Sequence, residues 1–361
     1  MPQEELEDKP YTEGTLTKLE IFQLYIRAWL PVFTAMPIPT WKRLAVFDFF
    51  AGRGRDVNGT PGSAARMLAE LKTRSSDIQS KDIQVTMTVA DSDAAKVQSL
   101  VEYLHAEALP SGVKLDPQVG EFADLFDRYL PMLRDSDVAC LVFLDQYGFK
   151  EVDREVFLKL TECRTTDFLF FVSTHFLHRF TDHPAVRKYI ELERPDDYFQ
   201  AHRAVLDWYR GLIPAGREYY LAPFSFRKGS NIYGVIFGSA HPRGLEKFLS
   251  VAWQKDRLNG EADYDLNRED FREDAPFLDL DIFAKPKKTA LFEAKMERFI
   301  RDGKLLTERD LFLFCLDNGM LCRHASPVLK KLKEARIVEC AFRSPRPESL
   351  KSPRPFRVNL P

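Results

Sequence analysis

The run Asp48-Phe-Phe-Ala-Gly52-Arg-Gly54 places a carboxylate at the end of an apolar stretch and two glycines just beyond it. Glycines at that spacing let the backbone turn sharply and approach a ligand closely. An apolar strand that runs into such a turn is the layout of a nucleotide-type cofactor site. The dinucleotide fingerprint fails, because the position for its third glycine is Val57. A phosphate-cradling loop fails too, since no Gly-Lys-Ser/Thr triplet follows Gly54. Asp48 would repel a pyrophosphate, but it suits the cationic amino-acid end of S-adenosylmethionine. Phe50, Ala51, Gly52 and Gly54 then belong to the same cofactor-binding turn. Taken alone, the glycine pair also reads as a tight turn with no ligand.

Three later strand ends carry residues of matching chemistry. Asp91 can accept hydrogen bonds from both hydroxyls of a ribose, with Asp93 as the substitute; Asp91 is also a candidate helix N-cap. Gly120-Glu121-Phe122 offers a polar group and a ring to bracket an adenine, although a lone Phe is more often core. Asp145-Gln146-Tyr147-Gly148 offers an acid and a ring that can hold and stack a flat nucleophile such as a base amine. Asp145, Gln146 and Tyr147 are therefore the candidate catalytic residues. Set in order at successive strand ends, these groups favour a methyltransferase cofactor cleft over any of the single alternatives. His175 and His178 border the same edge and read as cap or cleft-lining groups rather than metal ligands. Five scattered cysteines, with no Cys-x-x-Cys pair, point to a reducing compartment and no metal site.

The elements that must position these residues alternate. The Thr17-Lys-Leu-Glu20 box predicts a helix that ends near Pro37 and Pro39. Strands are predicted over 44–49, 85–90, 113–119, 138–144 and 168–173, with helices between them. Such alternation implies a parallel sheet with crossover helices. Helices over 185–191 and 198–212 follow, then strands over 218–226 and 232–238 joined by the turn Arg227-Lys-Gly-Ser230. A parallel sheet that closes with an antiparallel hairpin is the Rossmann-like class I methyltransferase topology.

At 361 residues, with 45% hydrophobic residues, the chain is long enough for two domains. The acidic start lacks a basic n-region, and the longest apolar runs are too short to span a bilayer, so a soluble cytoplasmic protein is expected. Charge is uneven: residues 285–361 hold 18 Lys and Arg against nine Asp and Glu, although the whole chain carries −2. Three short helices over 290–301, 308–316 and 326–335, followed by a basic hairpin, read as a winged helix. Its third helix carries Lys330, Lys331 and Lys333, the candidate contacts to DNA or RNA. The predicted organisation is a methyltransferase-like domain over 1–255, an acidic linker or arm over 256–288, and a winged-helix domain over 289–361.

Several motifs resemble the three-Cys-motif partner proteins. Leu19-Glu-Ile-Phe-Gln-Leu-Tyr-Ile-Arg-Ala-Trp-Leu-Pro31 is similar to their opening helix. Phe47-Asp-Phe-Phe-Ala-Gly-Arg-Gly-Arg55 with Gly59-Thr-Pro-Gly-Ser63 resembles their first-strand signature. Val142-Phe-Leu-Asp-Gln-Tyr-Gly-Phe149 resembles their Asp-Pro-Phe-Gly-Phe, and His241-Pro-Arg-Gly-Leu-Glu246 with Trp253 resembles their closing helix. The resemblance covers about residues 15–255. It implies a class I methyltransferase fold, often with a winged-helix tail, and a three-Cys-motif, radical-S-adenosylmethionine-like protein as partner. It leaves two readings open: a methyltransferase acting on nucleic acid, or a catalytically impaired sensor or binding subunit. Two departures matter. Gln146 replaces the family's Pro and Phe49 replaces its first-strand Gly, with Phe49 expected to narrow the pocket. On this reading Gln146→Pro would preserve or raise activity.

Overall fold

The computed structural model describes residues 9–146, 150–174, 201–229, 231–266 and 287–359. Tyr147, Gly148, His175, His178 and the helix predicted over 185–191 lie outside them, as does most of the predicted arm. The chain divides into two units, Met1–Val251 and Ala252–Pro361.

The first unit is built on a seven-stranded sheet. Its strands are β1 (Arg43–Asp48), β2 (Gln84–Asp91), β3 (Val113–Val119), β4 (Val138–Leu144), β5 (Thr166–Val172), β6 (Tyr220–Lys228) and β7 (Asn231–Ser239). Their order is β3-β2-β1-β4-β5-β7-β6. β1 to β5 are parallel, and β7 alone runs against its neighbours β5 and β6. This is the class I methyltransferase sheet. The order reverses at β1, with β2 on one side and β4 on the other, the switch point at whose carboxyl ends such sheets open a ligand crevice.

Strand alternation sends the two faces of β1 into different surroundings. Phe47 and Phe49 join Phe122, Phe126, Phe157, Phe168, Phe170 and Tyr209 in one large core cluster. These come from the strands and from α5 (Phe122–Arg134), α6 (Arg154–Thr161) and α7 (Ala201–Leu212), numbered after α2 (Ser63–Thr73), α3 (Ser75–Ser80) and α4 (Ala94–Ala106). The other face is covered by α1 (Glu13–Thr34). Its Leu19, Phe22, Tyr25, Ile26 and Trp29 are buried at helical spacing, and Phe22 stacks on Phe143 of β4 with ring centroids 4.1 Å apart.

α1 begins one turn earlier than the Thr17 box predicts. Thr12 is its N-cap, with its hydroxyl accepting from the Thr15 N–H, so Thr17 lies inside the helix. Two polar ties fix its rotation. Glu70 of α2, almost wholly buried, accepts from Gln23 at 2.7 Å and from Arg27 at 2.8 Å. Tyr25, wholly buried, donates to the half-buried Asp167 of β5 at 2.6 Å. Burial pushes the Asp167 carboxyl up to about 6, against the pull of Ser239, Tyr25 and Trp29.

The second unit starts in the last turn of α8 (Pro242–Lys255). Residues 256–266, expected to open a linker, are instead packed. Asp256 accepts the backbone N–H groups of residues 258, 259, 261 and 262, and Ala262 and Leu266 are buried. Then come α9 (Lys287–Arg301), α10 (Glu308–Asp317), α11 (Ser326–Glu334) and a ladder of β8 (Val338–Glu339) with β9 (Arg357–Val358). Thr307 and Asp310 form a capping box that starts α10. Among the described residues, no helix is long and apolar enough to cross a membrane.

Tyr25→Phe removes the only hydroxyl of a tie between residues 142 positions apart. It is expected to cost about 1–3 kcal/mol by leaving Asp167 under-satisfied. Urea unfolding of the two proteins measures this, and an unchanged midpoint would remove Asp167 from the forces holding α1.

Candidate functional site

Three strand ends, those of β1, β2 and β4, stand side by side at the switch point. Asp48 ends β1, level with Val89 of β2 and Phe143 of β4. Asp91 and Asp145 therefore stand two positions further along on either side. Asp48 is fully buried. One carboxylate oxygen accepts the Phe50 N–H at 3.1 Å, while the other, Oδ2, has no hydrogen-bond partner among the described residues. Desolvation drives its pKa up to about 7, opposed by the Ser63 hydroxyl, the Phe50 N–H and the Lys18 ammonium, while Asp145 adds to the rise.

The glycine turn follows directly. Gly52 and Gly54 have φ of 57° and 77°, the left-handed region where a side chain is strained. Gly52 donates its N–H to Asp91 Oδ2 at 3.2 Å. Asp91 Oδ1 accepts the Asp93 N–H at 2.9 Å. Two backbone donors thus orient the Asp91 carboxylate, and each oxygen keeps a lone pair for a ligand hydroxyl. The N-cap of α4 is Asp93, which accepts from the N–H groups of Ala95 and Lys96, so capping does not occupy Asp91. Gly54 has a packing reason of its own: a Cβ there would stand 2.4 Å from Leu100 Cδ1 on α4. Ala51 is buried and donates its N–H to the Ala90 carbonyl at 2.8 Å, extending the β1–β2 pairing into the turn.

Sequence reasoning missed the residue that organises the rest of this loop. Asp56, 6% exposed, accepts the N–H groups of Tyr11, Asn58 and Thr60 at 2.7, 3.0 and 2.8 Å. It closes the segment that returns to Gly62, whose N–H bonds the Gly54 carbonyl. An Asp two residues before Asn-Gly was the available signal.

Phe122 and Phe49 are placed differently from the expectation. Phe122 is 5% exposed and packs on Phe49, Phe50 and Phe126, so its ring belongs to the core rather than beside an adenine. Phe49 points to the same side as Phe47 and stacks with it, away from Asp48, so its bulk fills the core and does not narrow the crevice. Phe50 is partly buried against that cluster, and Glu121 is exposed at the start of α5.

The β4 end holds the largest surprise. Lys18 of α1, its side chain 7% exposed, makes an ion pair with both oxygens of Asp145 at 2.5 Å and lies 4.9 Å from the centre of the Phe171 ring. Lys18 sits on the buried stripe of α1, four residues before Phe22, and a charge on an apolar stripe is the signal that sequence reading passed over. Asp145 is therefore paired, not left as a lone charge beside a buried strand. Gln146 is corrected more sharply. Its side chain is 1% exposed, donates to the Phe171 carbonyl at 2.9 Å, and accepts the N–H groups of Glu151 and Val152 at 2.9 and 3.1 Å. An amide so committed cannot read a base edge; it holds the β4–α6 connection onto β5. Pro at this position would lose all three bonds, so Gln146→Pro is now expected to destabilise the protein.

In the second unit the three predicted lysines are not equally available. Lys331 pairs with Glu297 at 2.7 Å, and Lys333 donates to the Phe342 carbonyl at 2.7 Å. Lys330 is 78% exposed and only loosely paired with Glu334 at 3.8 Å.

No protein-family model and no curated protein matches the sequence. Among solved structures, Trm1 from Pyrococcus horikoshii with S-adenosyl-L-methionine is similar over 63% of this chain and 57% of its own, at 9% identity and a TM-score of 0.39. The DszA carbon methyltransferase is similar over 63% and 56%, at 13% identity and 0.36. A human methyltransferase 10 domain containing protein is similar over 62% and 83%, at 8% identity and 0.30. The aligned part of this chain spans little more than half the length of the first two.

The folded-state pKa of Asp48 lies above the unfolded value of about 3.9. The folded protein therefore binds that proton more tightly, and stability is lost as pH rises from roughly 4 through about 7. Between pH 5 and pH 8, Asp48→Asn is expected to gain about 2–3 kcal/mol of stability relative to the wild type. Thermal unfolding of both proteins at the two pH values checks this. An equal difference at both would mean that the carboxyl is not held protonated.

Proposed function

We propose that the crevice binds S-adenosylmethionine and that the protein transfers its methyl group to nucleic acid. The observation that carries the reading is Asp48: a wholly buried carboxylate with an unpartnered oxygen, beneath a two-glycine turn at the switch point of the sheet. Such an oxygen calls for a cationic or donor ligand, because an unpaired buried acceptor is costly. Asp48 would take the cofactor's ammonium end, and the left-handed turn at Gly52 and Gly54 would lie along it. Asp91, already oriented, would accept from the ribose hydroxyls. The cofactor supplies an electrophilic methyl group. The chain's own contribution is position and charge. Asp145 would orient an acceptor amine and take up its proton, while Lys18 fixes the position of the carboxylate. Tyr147, the neighbouring ring expected to stack on that acceptor, remains part of this proposal.

We read the three helices and short ladder of the second unit as a winged helix that brings nucleic acid to the protein, in keeping with its basic balance. The resemblance to three-Cys-motif partner proteins supports a radical-S-adenosylmethionine-like protein as an associate. A second reading, a catalytically impaired sensor or binding subunit, is favoured by two observations: Lys18 occupies both Asp145 oxygens, and the Gln146 amide is spent on the fold.

Calorimetric titration with S-adenosylmethionine is expected to show binding that Asp91→Ala weakens by about ten- to a hundredfold, the loss of hydrogen bonds to a charged acceptor. Transfer of labelled methyl to mixed DNA and RNA should disappear in Asp145→Ala while cofactor binding remains. Well-folded protein that binds neither the cofactor nor its demethylated product would end the methyltransferase reading. Binding without transfer to any nucleic acid would favour the sensor.

A further inference from the structure

The C-terminal unit contains a duplicated tetrapeptide, Ser344-Pro-Arg-Pro347 and Ser352-Pro-Arg-Pro355, within a segment that joins β8 to β9. Both copies are tied to one buried carboxylate. Glu308, 1% exposed at the start of α10, accepts the Arg346 backbone N–H at 3.1 Å. It also takes the Arg354 guanidinium in a two-pronged bond, Nε at 2.6 Å and Nη2 at 2.9 Å. Backbone bonds add to this: Glu308 N–H to the Arg354 carbonyl at 2.8 Å and Phe356 N–H to the Leu306 carbonyl at 3.1 Å. Phe342, Ser349 and Phe356 are buried on the inner side, and the Ser349 hydroxyl closes onto the Arg346 carbonyl at 2.6 Å. The segment is thus a fixed arm with an inside and an outside.

The outside is cationic. Arg343, Arg346 and Lys351 are exposed, and none of their side chains pairs with an acid among the described residues. Glu348, also exposed, is the one acid between residues 340 and 359. Arg357 lies opposite Glu339 in the ladder, so its charge is offset locally. The lysine helix contrasts with this in part: Lys333 is tied to the Phe342 carbonyl, and Lys331, although 69% exposed, pairs with Glu297.

We propose that the arm around Arg343, Arg346 and Lys351, anchored by Glu308, is the surface that holds the phosphate backbone of a nucleic-acid duplex, and that the α11 lysines are secondary. This rests on the nucleic-acid part of the proposed function and relocates its contact. Guanidinium groups match phosphate geometry in a way that an ammonium does not. Prolines on both sides of Arg346 keep the backbone ordered before binding, which lowers the entropy lost on contact. A duplex fits better than a single strand. Single-strand platforms stack bases on exposed aromatic rings, and both rings of the arm, Phe342 and Phe356, are buried.

The test uses the full chain, a short fluorescein-labelled DNA duplex, the RNA duplex of the same sequence and a single strand, with affinity measured over a salt series. Two triple variants are compared: Arg343→Ala/Arg346→Ala/Lys351→Ala and Lys330→Ala/Lys331→Ala/Lys333→Ala. The arm variant is expected to weaken duplex binding by about thirtyfold or more at low salt and to make the log–log salt slope shallower by about 3. The helix variant should change affinity by about threefold or less and the slope by about 1. The two duplex arms show whether DNA or RNA is preferred. All substitutions are at exposed positions or are read beside thermal unfolding, which should be unchanged for the arm variant. If the helix variant takes the larger loss, or the single strand binds more tightly than both duplexes, this surface is wrong while nucleic-acid binding stands. If the wild-type chain binds none of the probes, the nucleic-acid reading falls with it.

Discussion

One ammonium group serves two carboxylates at the end of the sheet. Lys18 is bonded to Asp145 and acts through space on Asp48, and both acids stand at the carboxyl ends of adjacent strands. With both ionised, this set is one positive charge short, in a place where water is excluded from Asp48. Neutralisation has only a few routes: a proton on Asp48, or a cationic ligand group beside it. A positive guest would relieve that shortage, with the proton as its competitor. That constraint explains why α1 matters to the site as well as to the core, since it supplies Lys18.

The structure holds α1 in place with unusual thoroughness. Its apolar stripe stacks on β4, its Tyr25 reaches Asp167, and its outer edge is fastened through Glu70 to α2. α2 in turn begins at Ser63, immediately after the loop that Asp56 ties to Tyr11. The glycine turn, the Asp56 loop and α1 thus form one connected frame around Asp48. Asp91 joins it from β2 through the Gly52 N–H. Such preorganisation leaves little to be ordered when a ligand arrives.

Most of the sheet was legible in the residues. β3 and β4 match their predicted bounds, and the remaining strands differ by one or two positions at an end, because apolar runs and the flanking turns are local signals. The α1 boundary was misread because Thr12 and Thr17 both suit a cap, and only tertiary packing of the first turn decides between them. At the site, the backbone-determined features were readable: the two glycines, the strand-end acids, the turn. Features that depend on distant pairing were not. Lys18 meets a partner 127 residues away, and Gln146 spends its amide on β5, contacts that no local spacing encodes. Phe122 had the right neighbours in sequence for a ring beside a base, yet the position it takes at the start of α5 turns it into the core.

The reach of those contacts bears on how the chain is made. α1 leaves the ribosome before the strands it packs on, carrying Phe22, Tyr25, Ile26 and Trp29 on one face, while its partners Asp145 and Asp167 follow 127 and 142 residues later. Through that interval the helix has neither the β4 ring nor the β5 carboxylate to bury against. It is an exposed aromatic surface on a nascent chain, the kind that aggregates or recruits a chaperone. Closing loops of that length before any contact rewards them also makes folding slow. The helix that flanks the strand ends is thus synthesised before the strands it packs on, so its contacts with Asp145 and Asp167 form only when β4 and β5 have joined the sheet.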